Sequence, residues 1–236
     1  MPAFDAAHAL AGMLDELKSE LTEIEPERIF VVDDGSTDDT SQIARRHGVS
    51  LLAHPKNLGK GAAILTGLRE AEKRGFRVAL TVDADGQHPA ASARRVLEAG
   101  SSPDLVLGIR DLVRDGAPKM NQMSNGISNF FISYFGRKKL GDTQCGLRRY
   151  PVRETLALGA HATGYAFEAE VLLLALARKM NVVEVPVPVR YPPEEERVTH
   201  FDSVRDPARI IGVVLRTLWT LRGTPRETST QPDGES

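Results

Sequence analysis

The sequence predicts an α/β protein with a mainly parallel central sheet flanked by helices, and three observations support this. Short apolar runs alternate with segments of helical periodicity through the first 110 residues, the pattern of βαβ units. Two of those runs end in acidic clusters: Val31-Val32-Asp33-Asp34-Gly35-Ser36 and Leu80-Thr81-Val82-Asp83-Ala84-Asp85-Gly86-Gln87-His88. Each cluster falls at the carboxyl end of its strand, where an open α/β sheet binds ligands.

The elements follow in order. Residues 6–23 carry Leu10, Met13, Leu14, Leu17 and Leu21 at helical spacing. A strand over 28–32 leads into a turn at 33–37 and a helix over 38–47. Then come a strand at 49–53, an Ala- and Leu-rich helix at 59–74 and a strand at 78–82. A helix at 89–99, opened by Pro89, precedes a strand at 105–109. Beyond residue 110 the pattern loosens: 111–119 is a polar loop, 120–135 a helix, and 141–150 a polar segment. A helix at 165–180, a strand at 182–190 and a Pro- and Glu-rich loop at 192–206 follow. The last element is an apolar helix at 207–221, with Arg209, Arg216 and Arg222 in and just after it. The expected organisation is one domain over 1–222 and a polar, disordered tail at 223–236.

Composition excludes several classes. The 236 residues carry a net charge of −2, without the basic field of a nucleic-acid binder. Cys145 is the single cysteine, so no intrachain disulfide forms, which fits a reducing compartment. The N-terminus lacks the basic and apolar regions of a signal peptide. No run reaches the ~18 apolar residues of a membrane span. The expectation is a cytoplasmic protein, with any membrane contact peripheral.

Asp33 and Asp34 suit either an Asx-type turn or a ligand site, and Ser36 or Thr37 could cap the next helix. A carboxylate at a sheet end can accept the imino N–H of a pyrimidine or guanine base. Asp83 and Asp85 read blandly as a polar strand end. Functionally, two hard carboxylates one residue apart can share a divalent cation and leave positions for substrate phosphates. Gln87 and His88 add polar groups beside them, His88 more readily as a supporting residue than as a ligand. Asn57-Leu58-Gly59-Lys60-Gly61-Ala62 places two glycines and a lysine at a helix start, where phosphates bind well. It lacks P-loop spacing, and a closely packed helix start explains the glycines equally well.

Together, segments 31–40, 57–67 and 82–89 resemble family 2 glycosyltransferases of the GT-A fold. Asp142-Thr143-Gln144-Cys145-Gly146-Leu147-Arg148 and Gly164-Tyr165-Ala166-Phe167-Glu168-Ala169-Glu170 are similar to its dolichyl- and polyprenyl-phosphate sugar synthase branch. The resemblance implies that Asp34 contacts the donor base and that Asp83 is also on the nucleotide, where Lys60 is expected from its place at the helix start. Asp83, Asp85 and Gln87 match a D-x-D-x-Q that holds Mg²⁺ or Mn²⁺ and the diphosphate. Arg110 falls where the family has a phosphate-contacting arginine, and with the metal it is expected to stabilise charge developing on the departing diphosphate. Ser124 matches an acceptor-phosphate serine, and Lys119 stands beside Met120, where relatives carry an arginine. Pro2-Ala3-Phe4-Asp5-Ala6 resembles a nucleoside-touching motif, assigning Pro2 and Phe4 to the nucleotide. The strand that should precede that motif is expected to be missing, and Ala6 replaces its glutamate.

The implied activity is inverting transfer of a sugar from a UDP- or GDP-linked donor to a polyprenyl phosphate or other lipid acceptor. An ionised phosphate needs no general base; a hydroxyl acceptor would need one, with Glu168 or Glu170 as candidates and Glu170 otherwise an exposed helix position. Arg197, His200 and Arg205 could hold an acceptor phosphate, or simply be solvated loop residues. Helix 207–221 and the stretch Phe130-Phe131-Ile132-Ser133-Tyr134-Phe135 with Arg137, Lys138 and Lys139 suit the cytoplasmic surface of the inner membrane. Two alternatives stand beside this. One is a non-catalytic sugar-nucleotide-binding protein. The other is a haloacid-dehalogenase-type phosphatase, which leaves Asp33 and Asp34 without a task.

Overall fold

The computed structural model describes residues 1–191, 211–217 and 219. Its elements run β1 (Pro2–Ala3), α1 (Ala7–Glu20), β2 (Phe30–Asp33), α2 (Thr40–Arg46), β3 (Ser50–Ala53), α3 (Lys60–Lys73) and β4 (Val78–Thr81). They continue with α4 (Ala90–Glu98), β5 (Leu105–Ile109), α5 (Lys119–Gly136), β6 (Arg148–Pro151), α6 (Val152–Ala157), α7 (Ala166–Ala177) and β7 (Val182–Pro186). The alternation expected up to residue 110 is present throughout.

The strands form two sheets. β1, β2 and β3 make a parallel trio, with Pro2 opposite Val32 and Phe30 opposite Ser50. The second sheet has the order β4-β6-β5-β7, with β6 antiparallel to both neighbours and β5 parallel to β7. Of the first strand, expected to be missing, only Pro2 and Ala3 are present, two residues that belong to the motif itself. The Met1 amino group donates to the Phe30 carbonyl at 2.7 Å, and Val32 N–H donates to the Met1 carbonyl at 2.9 Å.

β6 is a correction, since 141–150 reads as polar. Both of its arginines are buried. Their guanidiniums spend their donors on backbone carbonyls: Arg148 on Cys145 (2.8 Å), Glu168 (2.9 Å) and Thr143 (2.8 Å), and Arg149 on Leu97 (2.9 Å). A buried polar group is tolerated when its hydrogen bonds are met; Arg148 partners all three of its nitrogens this way, while Arg149 leaves its buried Nε without a partner.

Helix ends follow local rules. α3 stops in a Schellman motif: Gly75, at φ +80°, donates to Glu72 (2.9 Å) and Phe76 donates to Ala71 (2.9 Å). α2 starts at Thr40 without a side-chain cap, so neither Ser36 nor Thr37 caps it. Ser36 Oγ accepts from Asp5 N–H instead, and Thr37 N–H donates to Asp5.

Two core regions meet at β5. Leu105 and Leu107 pack with Ile132 of α5, Tyr150 of β6 and Phe167 and Leu172 of α7. Val106 packs with Met13, Leu17 and Val96, on α1 and α4. α7 is buried on almost every face, including Glu168 and Glu170, so it is an internal helix rather than an amphipathic one. Of the helix expected at 207–221, residues 211–217 and 219 are described and helical, and Val214 joins the α7 core.

Candidate active site

Asp34 follows directly after β2, and its carboxylate is already engaged. Oδ1 accepts from Leu58 N–H (2.9 Å) and from His54 Nδ1 (2.6 Å), and Oδ2 accepts from Gly59 N–H (2.7 Å). His54 in turn reaches Thr66 Oγ1 at 2.9 Å. Asp34 thus fastens the loop ahead of α3, and this is the only work its contacts show among the described residues. His54 escaped the sequence reading; as the polar residue just after β3, it could have been paired with an acid at the end of β2.

The two glycines of the α3 start resolve as packing devices. A Cβ on Gly59, at φ +96°, would lie 2.5 Å from the Thr163 carbonyl oxygen. A Cβ on Gly61 would lie 2.4 Å from the Ala162 oxygen and 2.5 Å from Phe167 Cβ. The Ala62 amide is also taken, donating to Thr163 at 3.2 Å. Close approach to residues 162–164, rather than a backbone phosphate cradle, explains Gly-Lys-Gly. Its consequence is the position of Lys60.

The Lys60 ammonium lies 2.8 Å from Asp83 Oδ1, 3.1 Å from Asp83 Oδ2 and 3.2 Å from Glu168 Oε1. The Tyr165 ring flanks it at 5.6 Å. Burial works to lower the Lys60 pKa, but the charges of Asp83 and Glu168 outweigh it and raise the value. Asp83 stays below the usual carboxylate range, burial being overcome by Lys60. Asp85 is pushed up to about 6 by desolvation and then by the charge of Asp83; its Oδ1 accepts the Gln87 N–H at 3.0 Å. Asp83 also explains a glycine in a distant motif: a Cβ on Gly146 would sit 2.1 Å from Asp83 Oδ2.

The donor set suits a divalent cation in one particular way. Among the described residues no group of three His, Cys, Asp or Glu could hold a metal. Asp83 and Asp85 nevertheless offer hard oxygens, and buried Glu168 Oε1 makes no hydrogen bond, only the Lys60 ion pair. One or two carboxylates completed by substrate phosphates is how Mg²⁺ is usually held, so the residues fit an ion that arrives with a nucleotide. His88 does not belong to the set. It is buried, lies 3.7 Å from Cys145 Sγ, and is lowered to about 4, mainly by burial.

Arg110 lies at the end of β5, bound two-pronged to buried Asp142, with Nε–Oδ2 at 2.6 Å and Nη2–Oδ1 at 3.1 Å. Asn125 of α5 also donates to Asp142 Oδ1 at 2.9 Å. Ser124 is buried beside Gln144, whose Nε2 lies 3.2 Å from its Oγ. Arg110, Arg114, Gln122, Asn125 and Asn129 line an open groove of about 480 Å³. Lys119, by contrast, is exposed at the first position of α5. Arg197 and His200 lie outside the described residues.

Glu170 requires a correction. It is buried, and its Oε2 accepts from the amides of His161 (2.8 Å) and Ala162 (2.7 Å). It is neither an exposed helix position nor a free base. Residues two apart on a helix point about 200° apart, so Glu168 faces Lys60 while Glu170 secures the 161–162 turn. Pro2 is committed to the β1–β2 pairing, and Phe4 follows it.

A nucleotide-diphospho-sugar transferase fold of the GT-A type is the class that these strands and acids define. The glucosyl-3-phosphoglycerate synthase of Mycobacterium tuberculosis, solved with Mn²⁺, UDP and phosphoglyceric acid, matches 96% of this chain and 78% of its own, with TM-score 0.69 and 20% identity. The chain belongs to glycosyltransferase family 2, whose model matches residues 1–152, and it is a glycosyltransferase. A dolichyl-phosphate beta-glucosyltransferase of Trichomonas vaginalis is 32% identical over 79% of this chain, which spans 61% of that relative's length. An undecaprenyl-phosphate mannosyltransferase of Micrococcus luteus is 28% identical over 79% of this chain and 80% of its own. The phosphatase and non-catalytic readings both fall with this membership.

Proposed function

We propose that the protein is an inverting transferase that moves a sugar from a UDP- or GDP-linked donor to a polyprenyl phosphate, with Mg²⁺ or Mn²⁺. The observation that carries this is the pair Asp83 and Asp85 after β4, with too few protein ligands for a metal unless phosphates complete the set. Polyprenyl- and dolichyl-phosphate acceptors in the names of two relatives support the acceptor class.

Asp83 and Asp85 would hold the ion, which when bound neutralises charge developing on the departing diphosphate. Lys60 adds a second cation beside the same phosphates. The acceptor phosphate oxygen attacks the anomeric carbon, the bond from that carbon to the nucleoside diphosphate oxygen breaks, and the electron pair leaves with the diphosphate. The acceptor, with a second pKa of about 6, is already ionised, so no side chain has to take a proton. Neither Glu168, paired with Lys60, nor Glu170, bound to two amides, is then needed as a base. Arg110 and Asn125 line the groove, and with Ser124, the neighbour of Asn125 on α5, they are the candidates for the acceptor phosphate. Asp34 acts at one remove, by fastening the loop that carries Lys60. Lys119, Arg197 and His200 are further candidates for holding the same phosphate.

A lipid acceptor brings the protein to a membrane surface, here the cytoplasmic face, by peripheral contact. No helix among the described residues is long and apolar enough to cross a membrane. The test is calorimetric titration of UDP and GDP with and without Mn²⁺, followed by assay of nucleotide sugars against polyprenyl phosphate. Metal-dependent nucleotide binding and a glycosylated lipid product are expected. Binding of neither nucleotide, or transfer only to a non-lipid acceptor, overturns the reading.

A further inference from the structure

We infer that Lys60 is a built-in counter-ion of the donor site: it occupies Asp83 in the nucleotide-free protein and releases it only when phosphates arrive. The free protein then binds a divalent cation weakly, and nucleotide and cation bind as a cooperative pair. This rests on the metal-dependent reading above and adds an order of events to it.

The geometry makes Lys60 and a metal competitors. The ammonium lies within hydrogen-bond range of both Asp83 oxygens, at 2.8 and 3.1 Å, and 3.2 Å from Glu168. A divalent cation would need an Asp83 oxygen at about 2.0–2.6 Å, which would set it beside the ammonium. Two like charges so close repel by several kcal/mol at an effective dielectric of about 20. One of the two has to withdraw, and in the free protein nothing favours the withdrawal of Lys60. It answers two acids, and Glu168 Oε1, buried and without a hydrogen bond, would otherwise be an unpaired buried charge.

A nucleoside diphosphate changes that balance. Its phosphates offer the ammonium new anionic partners and supply the oxygens that Asp83 and Asp85 cannot provide by themselves. The backbone of Lys60 stays pinned, because the flanking glycines already touch residues 162–164 and Phe167. Only the flexible four-carbon stem has to swing. Lys60 exchanges a carboxylate for a phosphate, Asp83 becomes free for the ion, and no other group need move.

Mn²⁺ binding, read by the loss of the free-ion electron paramagnetic resonance signal, tests this without any turnover. In wild type the affinity for Mn²⁺ alone should be weak and should rise at least tenfold with saturating UDP or GDP, about the coupling that linked sites commonly show. Lys60→Met should bind Mn²⁺ alone about tenfold more tightly than wild type, with a smaller gain from nucleotide. Because Lys60→Met strands Glu168, the double variant Lys60→Met/Glu168→Gln keeps the test open if the single variant does not fold, and it too should outbind wild type without nucleotide. Equal or weaker Mn²⁺ binding by the folded variants overturns the inference while leaving the metal reading intact. Absence of Mn²⁺ binding to wild type even with UDP or GDP overturns both.

Discussion

Arg110 and Asp142 form a two-pronged ion pair, at 2.6 and 3.1 Å, that ties the end of β5 to the segment leading into β6. Asp142 is fully buried, and it also accepts from Gln144 N–H (3.0 Å) and from Asn125 of α5 (2.9 Å). Burial would raise its pKa, but Arg110 holds it below the usual carboxylate range. Asp142→Ala leaves the guanidinium buried without its partner, which typically costs about 3–5 kcal/mol. The midpoint of urea unfolding should fall accordingly, and a midpoint within error of wild type would show that the pair contributes little.

Gly146 and Asp83 are 63 residues apart in sequence yet in contact, since a Cβ at 146 would fall 2.1 Å from Asp83 Oδ2. Gly146→Ala therefore has to push the Asp83 carboxylate away from its position. The expected outcome is a folded protein whose affinity for UDP or GDP with Mn²⁺ drops about tenfold or more, the scale of displacing a ligand-positioning group. Calorimetry checks this, and unchanged affinity would mean that Asp83 is not where the ion and diphosphate bind.

The strand-end acids, Lys60 and the order of elements to residue 110 were legible because each depends on local pattern. What escaped depends on partners far away in sequence. The acid after β2 offers the same residue types whether it meets a base or the amides of Leu58 and Gly59, and only the folded loop shows which it holds. Glu168 and Glu170 could not be ranked, because α7 is buried all round and its periodicity points nowhere. Arg148 and Arg149 disguised β6 as a polar segment, since their satisfaction by carbonyls of Thr143, Cys145, Glu168 and Leu97 is a tertiary property.

Cys145 is fully buried beside His88, and burial pushes its thiol up to about 12. The fold thus favours the neutral thiol. Its contribution to stability is complete below the unfolded pKa of about 8.5 and fades as pH rises toward the folded value. Because thiolate is the reactive form, Cys145 at pH 8 should react with a disulfide reagent about three orders of magnitude more slowly in the native protein than in urea. Comparable rates in the two states would place the thiol in an open, polar setting.

α5 carries the last prediction. Met120, Met123, Ile127, Phe130 and Tyr134 are each between 40 and 68% exposed. Their spacing of three and four residues sets them in one stripe about 21 Å long at 1.5 Å per residue. Residues 119–140 contain Lys119, Arg137, Lys138 and Lys139 and no acid, although the whole chain is net negative. Basic ends and an exposed apolar stripe suit an anionic bilayer, with the apolar face in the acyl boundary. On the opposite face of the helix Asn125 donates to Asp142, and Ser124, on the flank of the stripe, lies against Gln144, so the same helix would bring a lipid phosphate to the groove. The protein should float with phosphatidylglycerol vesicles and less with neutral ones. Phe130→Ser/Tyr134→Ser should weaken that binding about tenfold or more, each aromatic being worth roughly 1.5–3 kcal/mol when fully buried. Since both side chains are exposed, thermal stability should change little. Flotation equal to wild type, or none by wild type, would leave the stripe to a second copy of the chain or to another part of it.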